Sequence, residues 1–171
     1  MGASTKPPQI VIIRGPVGSG KTSVVEAIRS QMDDVSIVDF DSFKRQIDNS
    51  KSSSWRRELA LEMAIILTKR LMESSRFIVA DIHSSVPSQM KAFQGIADQM
   101  GYKLTSFLIL PPLEVCFKRA EQRIVPDITY EIDRTMVECY WNQTYKIVGE
   151  LEFTDPNSTP EHIARSIVAT L

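Results

Sequence analysis

The sequence predicts an α/β fold in which a parallel sheet is covered by helices on both faces. Three observations carry that prediction. Short apolar runs rich in Val and Ile alternate five times with segments of helical periodicity, the pattern of successive strand–helix–strand units. The first of these runs is apolar throughout instead of at every second residue, as a strand buried on both faces is. A glycine-rich segment joins that run directly to a helix, which is how a βαβ unit begins.

The first run, Gln9–Gly15 (QIVIIRG), is too short for a helix and reads as a buried strand. From Lys21 to Met32 the apolar residues Val24, Val25, Ala27, Ile28 and Met32 recur at helical spacing. Val35–Asp41 (VSIVDFD) is expected to form a second strand that ends in two carboxylates at alternate positions. A long helix should follow, with Ser54 as its N-cap and Trp55, Leu59, Met63, Ile66, Leu67 and Leu71 along one face. Phe77–Asp81 is a third buried strand, followed by a helix with Pro87 near its start and Gly101 just past its end. Tyr102–Leu110 is the fourth strand; Pro111 and Pro112 stop it, and LEVCFKRAEQR turns helical. Another helix is expected from about Thr129 to Lys146, and a last strand over Glu150–Asp155. In the closing helix Ser158 and Glu161 have capping-box spacing and Pro160 sits in the first turn. The expected organisation is a flexible tail over residues 1–8 and a single domain over 9–171, with Asn49–Ser53 as a surface loop.

The chain has 171 residues, of which 43% are apolar, enough for one sizeable core. Its net charge is only -1, so no global field draws it to nucleic acid or an anionic membrane, and any anion must be held locally. Cys116 and Cys139 lack the spacing of a zinc site or a disulfide framework and read as reduced thiols in helices. No run approaches the ~20 apolar residues of a membrane span. The first thirty residues lack a signal-peptide core, and Lys6 stands where an N-myristoylation motif needs Ser or Thr. A cytoplasmic protein without a membrane or evident protein partner is expected.

Three of the seven glycines fall between Gly15 and Thr22 (GPVGSGKT), which fits Gly-x-x-x-x-Gly-Lys-[Ser/Thr], the phosphate-binding loop. Glycines let the backbone curl until successive N–H groups point inward, in front of a helix N-terminus that already favours negative charge. Gly15, Val17, Gly18, Ser19, Gly20, Lys21, Thr22 and Ser23 are therefore the expected nucleotide-binding residues, with ATP and Mg²⁺ as cofactors. Lys21 reaches the β- and γ-phosphates and the Thr22 hydroxyl ligates the metal. Asp81, at the end of the third strand, is the acid expected to hold a metal-bound water, unless it only caps a turn.

A GTPase would need a guanine-reading Asn-Lys-x-Asp, and motor-type proteins usually end this strand in Asp-Glu; the chain has neither, Ile82 following Asp81. That favours a kinase, which needs a carboxylate to accept the proton of a substrate hydroxyl. Asp39 and Asp41 would face the same side if the strand extends that far; the alternative is that one caps the next turn or helix. His83 either touches the substrate or is an ordinary loop histidine. Trp55, Trp141 and Tyr140 read as core before ligand platform.

VSIVDFDSFKRQI resembles the segment of zeta-toxin-like kinases in which a strand ends Asp-x-Asp and runs into x-Phe-Lys. DSF is also similar to the corresponding segment of chloramphenicol phosphotransferase, and polynucleotide 5′-hydroxyl kinases place an Asp here too. The resemblance to these small P-loop kinases spans nearly the whole chain as an order of elements. It implies a three-layer P-loop NTPase fold with a five-stranded parallel sheet in the order 2-3-1-4-5 and a helical lid. It implies Asp41 as general base, and Arg119 and Arg123, four residues apart, as lid arginines on the phosphates and near the adenine. The segment FTDPNSTPEHI resembles the last loop of these kinases, which would set Asp155 and Asn157 beside the adenine. Zeta toxins use an Arg after the third strand to bind a UDP-sugar; DIHSSVPSQ has none, which argues against that substrate.

The sequence thus predicts an ATP-dependent kinase that transfers the γ-phosphoryl group to a hydroxyl of a small molecule, with Lys21, Asp41, Arg119 and Arg123 catalytic and Asp39, Asp41, Asp81 and His83 facing the substrate. A nucleoside or polynucleotide 5′-hydroxyl kinase is one alternative, the near-neutral charge weighing against a polynucleotide. A non-catalytic ATP-binding regulatory module is another.

Overall fold

The structure is a computed structural model that describes residues 7–47, 54–83, 85–122 and 133–171. Its strands are β1 (Gln9–Gly15), β2 (Val35–Asp39), β3 (Phe77–His83), β4 (Lys103–Ile109) and β5 (Leu151–Phe153). All pair in parallel, in the order β2-β3-β1-β4-β5. The helices are α1 (Lys21–Arg29), α2 (Phe40–Ile47), α3 (Ser54–Leu71), α4 (Pro87–Met100), α5 (Leu113–Glu121), α6 (Arg134–Asn142) and α7 (Pro160–Val168).

Alternate residues of the central strand point to opposite layers, and the core divides accordingly. Ile10 and Ile12 join Ala60 and Ala64 of α3 and Phe93 and Ala97 of α4 on one face. Val11 and Ile13 meet Val25 and Ile28 of α1 and Ile163 and Ile167 of α7 on the other. A third cluster, around Cys116, Ala120 and Val137, packs α5 and α6 against Val17 of the glycine loop. The register aligns the functional ends of three strands, with Gly15 opposite His83 and Asp39 opposite Asp81.

Several sequence expectations need correction. The second strand stops at Asp39, and Asp41 lies in the first turn of α2. Two forces end the strand: the Asp39 carboxylate accepts the Ser42 N–H at 3.0 Å, capping the helix, and Phe40 is buried in the core. The long helix α3 turns Ala60, Ala64 and Thr68 inward, leaving Ile66 68% and Trp55 53% exposed. Apolar residues occur nearly all round this helix, so spacing alone does not choose its buried face, and the small alanines let it approach the sheet closely. Ser54 is already helical and residues 48–53, including all of the expected loop, lie outside the described residues.

Helix α6 starts behind Asp133, whose carboxylate accepts the Met136 N–H at 2.7 Å, and ends at Asn142; residues 129–132 of the expected helix lie outside the described ones. The cap of α7 is Thr159, accepting the His162 N–H at 3.2 Å, instead of Ser158. Pro160 fixes that choice by taking the first helical position. Pro87 and Gly101 bracket α4 as expected. Residues 1–6 of the expected tail are likewise outside the description. Cys116 and Cys139 are free thiols in α5 and α6. Among the described residues no helix is long and apolar enough to cross a membrane.

Candidate active site

The loop from Gly15 to Gly20 leaves the buried end of β1 and enters α1 without a break. Gly18 has φ 76° and Gly20 φ 99°, left-handed values that side chains resist. Gly18 also lies against the main-chain carbonyl of Cys116 in α5, where a Cβ would collide. The turn is tied by Ser19 N–H donating to the Pro16 carbonyl at 3.2 Å. Gly20 caps α1 without any side-chain acceptor, and the first turn carries no acid. The uncapped amides of this helix N-terminus thus remain available to an external anion. Ser19 is buried.

Lys21 donates to the Pro16 carbonyl at 3.2 Å, which folds its ammonium back over the loop. Thr22 donates its hydroxyl to Asp81 Oδ2 at 3.3 Å. A hydroxyl and a carboxylate are hard oxygen donors of the kind Mg²⁺ prefers. Asp81 is only 8% exposed. Burial pushes its carboxyl up to about 7, with Asp41 and Asp39 adding to the rise while Lys21 and the Thr22 hydrogen bond oppose it. A buried acid under that strain gains from a cation, so Thr22 and Asp81 fit a metal.

Asp41 behaves differently. Burial pushes its pKa up, but Lys44 and Lys21 outweigh that and hold it well below the usual carboxylate range. Lys44 forms an ion pair with it from one turn further along α2. The carboxylate stays 46% exposed, so it is ionised and accessible together. Asp39, by contrast, is occupied as the cap of α2 and by Arg45 at 3.4 Å, which is the capping alternative its position allowed.

His83 closes the site on the β3 side. Burial and the cations Lys21, Lys44 and Arg57 lower its pKa to about 3 against the pull of Asp41, so the ring is neutral. Its Nδ1 meets the Ser85 hydroxyl at 2.9 Å, and its main-chain N–H donates to Gln89 Oε1 at 3.2 Å. The ring stands 4.5 Å from that of Tyr140, tilted by 59°.

Lys21, Thr22, Asp41, Asp81 and His83 are therefore brought together. Arg119 joins the loop by donating to the Ser19 carbonyl at 3.1 Å. Arg123 lies outside the described residues. Asp155 accepts the Asn157 N–H at 2.9 Å and meets Ser158, so these contacts build the turn into α7. Trp141 is core, as expected, its indole donating to the Pro111 carbonyl at 3.0 Å, whereas Trp55 is not.

Sequence reasoning missed Lys44, Gln89 and the contact of Tyr140 with His83. Lys44 carried a signal, since it follows Asp41 by one helical turn once that segment is read as helix. Nothing in the linear sequence marks Gln89, and Tyr140 is read there as core before ligand platform.

A five-stranded parallel sheet in this order, with a glycine loop between its central strand and first helix, defines the P-loop NTPase class, and several of the solved structures that match it are named as kinases. The chain superposes on a candidate kinase from Chloroflexus aurantiacus with a TM-score of 0.77 and 14% identity, covering 97% of this chain and 100% of the other. For the APS kinase of Mycobacterium tuberculosis, in complex with AMPPNP and APS, the values are 0.69 and 15%, over 95% and 96%. A gluconokinase from Sinorhizobium meliloti gives 0.68 and 16%, over 96% and 91%. Residues 10–137 match the AAA domain family, and the chain belongs to it. No curated protein matches the sequence significantly.

Proposed function

We propose that the protein is an ATP-dependent kinase that transfers the γ-phosphoryl group to a hydroxyl of a small molecule, with Asp41 as the residue that receives the hydroxyl. The observation that carries this reading is the ionised, half-open Asp41 carboxylate beside Lys21 at the mouth of the phosphate loop. The loop amides and Lys21 would hold the β- and γ-phosphates, and Arg119 would add positive charge above them. Thr22 and Asp81 would hold Mg²⁺, which neutralises phosphate charge when bound.

Asp81 is nearer in pKa to an ideal base, yet its hydrogen bond to Thr22 supports a place for it on the metal side. Asp41 is a weaker base that orients the hydroxyl and takes its proton late, which suits a loose transition state with little bond formation to the nucleophile. His83, neutral and set beside Asp41, would border the acceptor. Kinase folds with small-molecule names among the matching structures support the acceptor class, and the near-neutral chain supports it over a polynucleotide.

The test is ADP release with and without a panel of hydroxyl compounds. Acceptor-stimulated release that disappears in Asp41→Asn, with ATP binding retained, is the expected result. Tight ATP binding with no acceptor-dependent release would instead establish a regulatory module.

A further inference from the structure

Arg14 is an arginine at the buried end of the central strand, one residue before the phosphate loop. Neither its side chain nor that of Glu150 has any exposed surface. Arg14 Nε donates to Glu150 Oε1 at 2.8 Å and Nη2 to Oε2 at 2.7 Å, a two-pronged pair. Nη2 also donates to the Tyr145 carbonyl at 2.9 Å, and the guanidinium lies 4.3 Å from the centre of the Tyr145 ring.

Burying two charges costs several kcal/mol each, and apolar residues of the same volume often stabilise a fold as well or better. What a planar guanidinium adds is direction, because its donors meet a carboxylate in one orientation. Here the direction is imposed on the chain between α6 and β5, which Arg14 grips at Tyr145 and Glu150. That chain runs back to the site: the Thr144 hydroxyl donates to the Tyr140 carbonyl at 3.0 Å, and the Tyr140 ring meets His83. His83 pairs in register with Gly15, the neighbour of Arg14. The contacts thus form a ring from the root of the phosphate loop, through residues 140–150, to His83 on the adjacent strand and back.

We propose that Arg14 and Glu150 are positioning residues: their buried pair sets the 143–150 segment so that Tyr140 is held against His83, fixing one wall of the acceptor site in register with the phosphate loop. The functional meaning of that wall rests on the kinase reading; the geometry itself does not.

The test is made on the full chain with AMPPNP as probe, by NMR of the His83 and Tyr140 rings, so that no readout depends on phosphoryl transfer. Wild-type protein is expected to show a cross-peak between the two rings. Arg14→Met combined with Glu150→Met removes both charges together and leaves neither buried alone. It is expected to lose the cross-peak and to move the His83 signals to where Tyr140→Ala puts them, with thermal stability and AMPPNP affinity unchanged. A folded double variant that keeps the wild-type cross-peak overturns the proposal. Thr144→Val leaves the ion pair in place and removes the side-chain hydrogen bond to the Tyr140 carbonyl, which gives a second arm if the double variant does not fold. A weakened cross-peak is expected there, and undiminished intensity overturns the proposal equally.

Discussion

The phosphate loop offers main-chain amides from consecutive residues between β1 and α1, whereas the proposed acceptor wall is assembled from side chains on three elements. Asp41 and Lys44 come from α2, His83 from β3 and Tyr140 from α6. The first region carries its geometry in its own backbone, through two left-handed glycines and one uncapped helix. The second exists only after the sheet has set its register and the helices have packed. A phosphate can therefore be held by a contiguous motif, while recognition of an acceptor depends on tertiary placement.

If the two regions divide the work in this way, removing a group from each should separate binding from transfer. Lys21→Ala carries the largest expected effect, a fall of about 10³-fold or more in turnover, because it deletes the cation on the transferring phosphate. Acceptor-dependent ADP release measures it, and undiminished activity would break the assignment of the loop. Asp41→Asn is expected to lower turnover by about 10²- to 10³-fold with ATP affinity unchanged. Titration calorimetry beside steady-state rates reads that split, and equal losses in both would merge the two regions.

Asp81 sharpens the comparison through stability. Its folded pKa, about 7, lies above the ordinary 3.8, so the folded protein holds the proton more tightly. The stability this contributes is complete below the ordinary value and is lost as pH rises through 7. Asp81→Asn is thus expected to stabilise the metal-free protein by about 4 kcal/mol at pH 8 and not at pH 4. Urea unfolding in EDTA at both pH values checks this, and a gain that is the same at both would refute it. Lys44→Met is the smallest change. Without its main cationic partner the Asp41 pKa rises, so an NMR titration of the Asp41 carboxyl should shift toward the ordinary carboxylate range, and an unchanged titration would refute the pairing.

The strand–helix alternation and the phosphate loop were legible because each rests on local sequence: runs of β-branched residues, helical spacing, and glycines with a lysine at fixed offsets; the strand order came only from the resemblance to small P-loop kinases. Asp41 was legible as a residue and misplaced as structure. Its position in α2 follows from the Asp39 cap and the burial of Phe40, which outweigh the strand propensity of the preceding residues. The inward face of α3 was hidden because apolar residues surround that helix. Arg14 and Glu150 are 136 positions apart, and a lone arginine ending an apolar strand was the sole trace of their pairing. Gln89 left none, and Tyr140 no more than an aromatic ring read as core before ligand platform, since their roles arise from the packing of α6 and α4 around β3.

The most direct test of the account compares wild type with Asp41→Asn in a small-metabolite extract supplied with ATP and Mg²⁺, reading by mass spectrometry any compound that gains one phosphoryl group. The account predicts such a product with wild type, almost none with the variant, and the same ATP affinity for both. Equal product from the two proteins would contradict it.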